Sequence, residues 1–193
     1  MRQHKLSCLA HPNKPVYDKS KAYQNQLRTK QENYMVFQEI KGFKATADLE
    51  MTGQCISHAR TDCRARDVVQ STDEPEARGG TNTGLTPTET LWAALLGCTN
   101  VIGHRVAERH GMNIEKMDIK LDYVFDRRGA ALVEEVDVPF PSATLHISVV
   151  TDADAATIEK VSTDLDRACP IAKVIRQSGC DLKSNWIVKD SLD

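Results

Sequence analysis

The chain has 193 residues, 40 % of them apolar, which fits one hydrophobic core with at most an appendage and excludes a two-domain enzyme. Its 25 lysines and arginines stand against 27 aspartates and glutamates, so no basic footprint marks a nucleic-acid or anionic-membrane partner. The longest apolar run, Leu91 to Leu96, falls well short of the roughly 18 residues that cross a bilayer, and no membrane span is expected.

Met1-Arg2-Gln3-His4-Lys5 leads into no apolar stretch of about 7 to 15 residues, so no secretory signal is expected, and Leu6-Ser7-Cys8 lacks the hydrophobic segment of a lipoprotein site. Six cysteines at spacings of 47, 8, 35, 71 and 11 form neither a C-x-x-C pair nor a dense disulfide scaffold. That usage predicts a reducing, cytoplasmic setting.

Residues 1–42 read as a polar, basic extension, with a helix expected from Ser20 to Phe37; the domain proper is expected over 43–193. From Phe43 the apolar period is two, with Ala45, Ala47, Leu49 and Met51 alternating with Lys44, Thr46, Asp48 and Glu50, which predicts a half-buried strand ended by Gly53. Further strands over Cys55–Asp62 and Asp67–Gln70 complete a first antiparallel meander. The stretch from Asp73-Glu74-Pro75 through Gly79-Gly80 and Gly84 to Pro87 is too rich in turn residues for regular structure.

Thr86 is then an N-cap, Pro87 takes the first helical position and Glu89 completes a capping box. The expected helix runs for roughly 24 residues, with an apolar stripe of Leu91, Leu95, Cys98, Ile102 and Val106, and stops at Arg109-His110-Gly111. Ala93 and Gly97, four apart, provide a small-residue side for close helix packing. Met117 to Phe125 alternates cleanly as a strand, and Leu132–Val138 and Thr144–Val150 are expected to extend it into a second meander. Asp152 caps a helix with stripe Ile158, Val161 and Leu165; it breaks at Cys169-Pro170, after which a short helix reaches Ser178 and a last strand covers Trp186–Val188. Strands grouped apart from helices predict an α+β fold.

Among residues able to do chemistry, two cysteines have distinctive settings. Cys98 lies on the apolar stripe, where a free cysteine can be no more than a small buried hydrophobe. Cys169 precedes Pro170 at a helix start, where unsatisfied N–H groups and the helix dipole are expected to favour its thiolate. Cys55, His58 and Cys63 do not read as a zinc site, because Cys55 and His58 fall on opposite faces of a strand and no fourth ligand follows at suitable spacing. The glycine-rich loop lacks a phosphate-binding ending. His104 and His110 read as helix-surface or capping residues rather than bases, and Arg60, Arg64 and Arg66 as hairpin charges unless a cysteine is near.

The ordered set Asp73-Glu74-Pro75, Gly79-Gly80-Thr81-Asn82-Thr83-Gly84-Leu85-Thr86-Pro87-Thr88-Glu89, Leu91 to Cys98 and, some 70 residues later, Cys169-Pro170 resembles the OsmC/Ohr family over about residues 43–188. The resemblance implies two antiparallel β-meanders around two main helices in an intertwined homodimer, with sites at the subunit interface and no metal or cofactor. It implies a thiol peroxidase that reduces organic hydroperoxides, with Cys98 peroxidatic and Cys169 resolving, recharged by a dithiol or lipoyl-type reductant. It also implies an arginine beside the thiolate, assigned to Arg60 with Arg64 and Arg66 open, held by a glutamate early in the central helix. In the peroxide-reducing branch that glutamate stands ten residues before the cysteine; here Thr88 holds that position and Glu89 stands nine before, a turn of about 100° around the helix. Two other readings stay open, a non-catalytic dimer that binds a small apolar ligand at the interface and a redox sensor.

Overall fold

A computed structural model describes residues 36–192. The helix expected over 20–37 lies outside the described residues except for Val36 and Phe37, which are not helical. Strands β1 (Thr52–Cys55), β2 (Arg60–Ala65) and β3 (Val68–Asp73) form an antiparallel sheet in that order. The Ser57 hydroxyl accepts the backbone N–H groups of Ala59 and Arg60 and so turns β1 into β2. Ala65 pairs with Val68 across a two-residue hairpin in which Arg66 takes φ of 56°, as such a tight connection demands.

The first meander therefore exists, but its strands are displaced from the expected spans. Residues 43–51 form no strand: pairing begins at Thr52 and Gly53 lies inside β1. A period-two pattern marks a face fit for burial, yet a strand also needs a neighbour, and among the described residues none pairs with this segment. Leu49 is 92 % exposed.

The central helix α1 (Pro87–Arg109) starts as the sequence predicts. The Thr86 backbone N–H donates to Glu89 Oε2 at 2.8 Å and the Glu89 N–H donates to Thr86 Oγ1 at 3.3 Å. His110 is its C-cap, followed by Gly111 at φ 69°. Its buried row is Trp92, Leu95, Thr99 and Val106, flanked by Gly103 and Ala107. The predicted stripe is thus rotated: Leu91 is exposed, and Cys98 and Ile102 lie half-buried on the flank of the core.

The second sheet joins β4 (Lys116–Tyr123), β5 (Ser142–Val150) and β6 (Asp181–Val188). It is mixed and not a meander: β4 and β5 are antiparallel, whereas β6 runs parallel to β5. Parallel neighbours need a crossover, supplied by α2 (Ala155–Ala168) and α3 (Pro170–Gln177). Asp154, not Asp152, caps α2 by accepting the Thr157 N–H at 2.7 Å. Leu132–Val138 is not a strand, because Arg128 gathers Asp126 and Glu134 into a turn and Leu132 sits at φ 57°. Ala143, Leu145, Ile147 and Val149 of β5 join Leu95 of α1 and Val161 and Leu165 of α2 in one core. Trp92 ties the start of α1 to that sheet through Tyr123 and Phe140, at centroid distances of 4.8 and 5.1 Å.

The connection from β3 to α1 is fixed by a single carboxylate. Asp73, 1 % exposed, receives on Oδ2 the hydroxyl and backbone N–H of both Thr81 and Thr83 at 2.6–3.1 Å. The loop can lie this close only because Gly80 and Gly84 lack side chains: a Cβ at Gly80 would stand 1.7 Å from the Glu74 carbonyl oxygen, and one at Gly84 2.3 Å from that of Ser71. The Thr81 hydroxyl first, then the Thr83 N–H, hold the Asp73 carboxyl well below the usual carboxylate range. A depressed folded-state value stabilises the fold above the unfolded value of about 4, and that contribution is lost as pH falls below it. Thermal melts from pH 7 down to 2.5 are therefore expected to show Asp73→Asn melting lower than the parent at pH 7, with the two curves converging in acid.

Candidate active site

Pro170 has no backbone N–H and disfavours helical geometry in the residue before it, so Cys169 is extended, at φ −69° and ψ 112°. It is both the C-cap of α2 and the N-cap of α3. This turn drives its side chain inward, where it is 0 % exposed. Cys98, on the flank of α1, meets it there: the Cys169 thiol donates to Cys98 Sγ at 3.0 Å and accepts the Ala172 N–H at 3.5 Å. Both thiols are free, and a bond of about 2.05 Å would need an approach of about 1 Å.

The N-cap geometry is as the sequence predicts, but the electrostatic expectation is overturned. Burial pushes the Cys169 thiol up to about 11 and the hydrogen bond it donates to Cys98 adds to the rise, against a smaller pull from the Ala172 N–H. Desolvation outweighs the helix end because the sulfur has no water to share its charge. The pair is therefore asymmetric, with Cys169 bearing the proton and Cys98 as the acceptor sulfur.

The charged residues expected beside the thiols are engaged elsewhere. Glu89 is exposed and bound to the Thr86 backbone in the capping box. Arg60 lies on β2, its Nε and Nη2 donating to the two oxygens of Asp62 at 2.9 and 3.2 Å. Among the described residues no hydrogen bond or ion pair joins Arg60 to either cysteine or to Glu89, and of this sheet only β3 touches a helix, α1. Arg64 is exposed on the same strand, and Arg66 belongs to the hairpin turn. Cys55 is exposed on β1, Cys63 is half-buried on β2, and Cys180 is buried just before β6.

One cluster near the thiols was not apparent from the sequence. His110 Nε2 donates to Asp164 Oδ2 at 2.9 Å and Arg167 Nη1 donates to Asp164 Oδ1 at 2.7 Å. Asp164 is 1 % exposed, and the Arg167 guanidinium lies 5.1 Å from the Phe37 ring centroid. This links the C-terminus of α1 to the half of α2 that ends at Cys169. A polar residue beside Leu165 gives no such signal in the sequence.

Native protein treated with iodoacetamide at pH 8 is expected to be alkylated at Cys55 and to remain unmodified at Cys169, whose labelling should require denaturant; peptide mass mapping reads both.

The sequence pattern of the family described as OsmC-like protein matches residues 80–185. No curated protein matches the chain. Among solved structures, an OsmC-like protein from Mycoplasma pneumoniae superposes with a TM-score of 0.63 at 13 % identity, over 74 % of this chain and 97 % of that one. An organic hydroperoxide resistance protein OsmC from Legionella pneumophila gives 0.57 at 17 %, over 75 % and 100 %. The organic hydroperoxide resistance protein OhrB of Bacillus subtilis gives 0.51 at 17 %, over 74 % and 98 %. These likenesses establish the α+β fold with two small sheets.

Proposed function

The chain belongs to the OsmC-like protein family, and from that premise we propose that it is a two-cysteine thiol peroxidase acting on organic hydroperoxides. The observation that carries the reading is the 3.0 Å approach of the Cys98 and Cys169 sulfurs. The Cys98 thiolate attacks the outer peroxide oxygen; the O–O bond breaks, Cys98 becomes a sulfenic acid, and the departing alkoxide takes a proton and leaves as an alcohol. Cys169 then attacks the sulfenic sulfur. Its own proton leaves with the hydroxyl as water, and the two sulfurs join in a disulfide. A dithiol or lipoyl-type reductant supplies two electrons and two protons to restore both thiols, in a reducing cytoplasm.

In this reading Arg60 is the cation that stabilises the attacking sulfur, and a homodimer completes the site. Support for a second copy comes from surface left open in the single chain: Leu49 and Met51 are 92 % and 69 % exposed, and Val101 on the Cys98 side of α1 is 48 % exposed. A protein partner of the same sequence would cover this apolar area.

One equivalent of cumene hydroperoxide added to the reduced protein is expected to remove two hydrogens from its mass within seconds, mapped to a Cys98–Cys169 link, and Cys98→Ser is expected to abolish hydroperoxide consumption. An unchanged mass after many minutes would overturn the peroxidase and favour an apolar ligand at the interface, detected as a rise in melting temperature.

A further inference from the structure

One face of the β2–β3 hairpin carries a connected polar group. Arg60 and Asp62, two apart on β2, point the same way, and in register across from them stand Asp73 and Ser71 of β3. The Arg60 guanidinium lies side-on to Asp62, with Nε on Oδ1 at 2.9 Å and Nη2 on Oδ2 at 3.2 Å. Ser71 Oγ in turn donates to Asp62 Oδ1 at 2.7 Å and lies 3.5 Å from Nη2. A bidentate fork on a braced carboxylate fixes the guanidinium plane as well as its position. Nη1 has no partner among the described residues, so one edge of the fork is held while the other is presented.

We infer that Asp62, braced by Ser71, is the positioning residue of Arg60, holding its guanidinium so that the Nη1 edge is free to meet the reacting sulfur or peroxide oxygen. The inference rests on the peroxidase reading above and adds the source of the carboxylate. Glu89 is committed to the Thr86 backbone; Asp73, across from Arg60, gives Oδ2 to Thr81 and Thr83 and keeps a buried Oδ1 that makes no hydrogen bond among the described residues, so the carboxylate bound to the arginine is Asp62. The charged groups on this face are Arg60, Asp62 and Arg64 from β2 and Asp73 from β3; β1 adds only Thr52 and Gln54.

The test is the second-order rate constant for oxidation of the prereduced full-length protein by cumene hydroperoxide, followed across pH. Asp62→Asn is expected to lower it about tenfold to a hundredfold, since loss of positioning by about 1 Å is worth up to about a hundredfold. The pH of half-maximal rate should move upward as the sulfur loses its cation, whereas a merely structural change would lower the rate without moving that midpoint. Asp62→Glu should restore part of the rate. In an Arg60→Gln background Asp62→Asn should have no further effect, because it acts through the arginine. An unchanged rate and midpoint in Asp62→Asn, with Cys98→Ser inactive, would overturn the inference and leave the peroxidase reading standing. Activity in Cys98→Ser would overturn both. A loss in Arg64→Gln with Asp62→Asn silent would move the role to Arg64 and likewise overturn the inference.

Discussion

Pro170 cannot donate a backbone hydrogen bond and its ring keeps the preceding residue out of helical geometry, so the segment from Asp154 to Ser178 folds as two helices about one extended residue. That residue is Cys169. Its backbone N–H closes α2 on the Leu165 carbonyl while its sulfur accepts from the first turn of α3, and serving both ends turns the thiol toward α1. The thiol pair thus depends on a backbone constraint more than on any attraction between sulfurs. The His110–Asp164–Arg167 cluster and the Arg176–Asp166 pair at 2.8 Å hold the last turns of α2 against α1 and α3, keeping the extended residue where the proline puts it.

The carboxylates are divided in a way that the sequence does not reveal. A glutamate three residues after a threonine N-cap can reach back to the helix start or outward to a cation, and one side chain cannot satisfy both well. Here Glu89 reaches back, and its carboxyl is held below the usual range by the Thr86 N–H and hydroxyl. Arg60 finds its partner two residues along its own strand. The helix start and the strand arginine are thus fixed by different carboxylates, Glu89 and Asp62.

Much of the fold was legible because local chemistry decides it. The capping box, Pro87 and Gly111 delimit α1 to within a residue or two, and Cys169-Pro170 marks the break between helices. What was not legible depends on partners distant in sequence. Residues 43–51 alternate like a strand but have no neighbour among the described residues, and Leu132–Val138 has the composition of a strand but is captured by the ionic turn around Arg128. Periodicity also cannot tell a parallel from an antiparallel neighbour, so the last strand could be expected at Trp186–Val188 but not its parallel pairing with β5. The site shows the same division. The N-cap position of Cys169 could be read from Cys-Pro, whereas its burial depends on α1 and the core, and burial reverses the effect of the helix end on the thiol.

The flat loop between β3 and α1 also bears on how this sequence can drift. Gly80 and Gly84 lie so close to the backbone of Glu74 and Ser71 that even a methyl group would displace the strand or lift the loop. Lifting the loop withdraws Thr81 and Thr83 from Asp73 and unseats Thr86, the residue from which α1 starts. A single-base change at either glycine codon would therefore misplace the helix that carries Cys98 while leaving both cysteines in the gene.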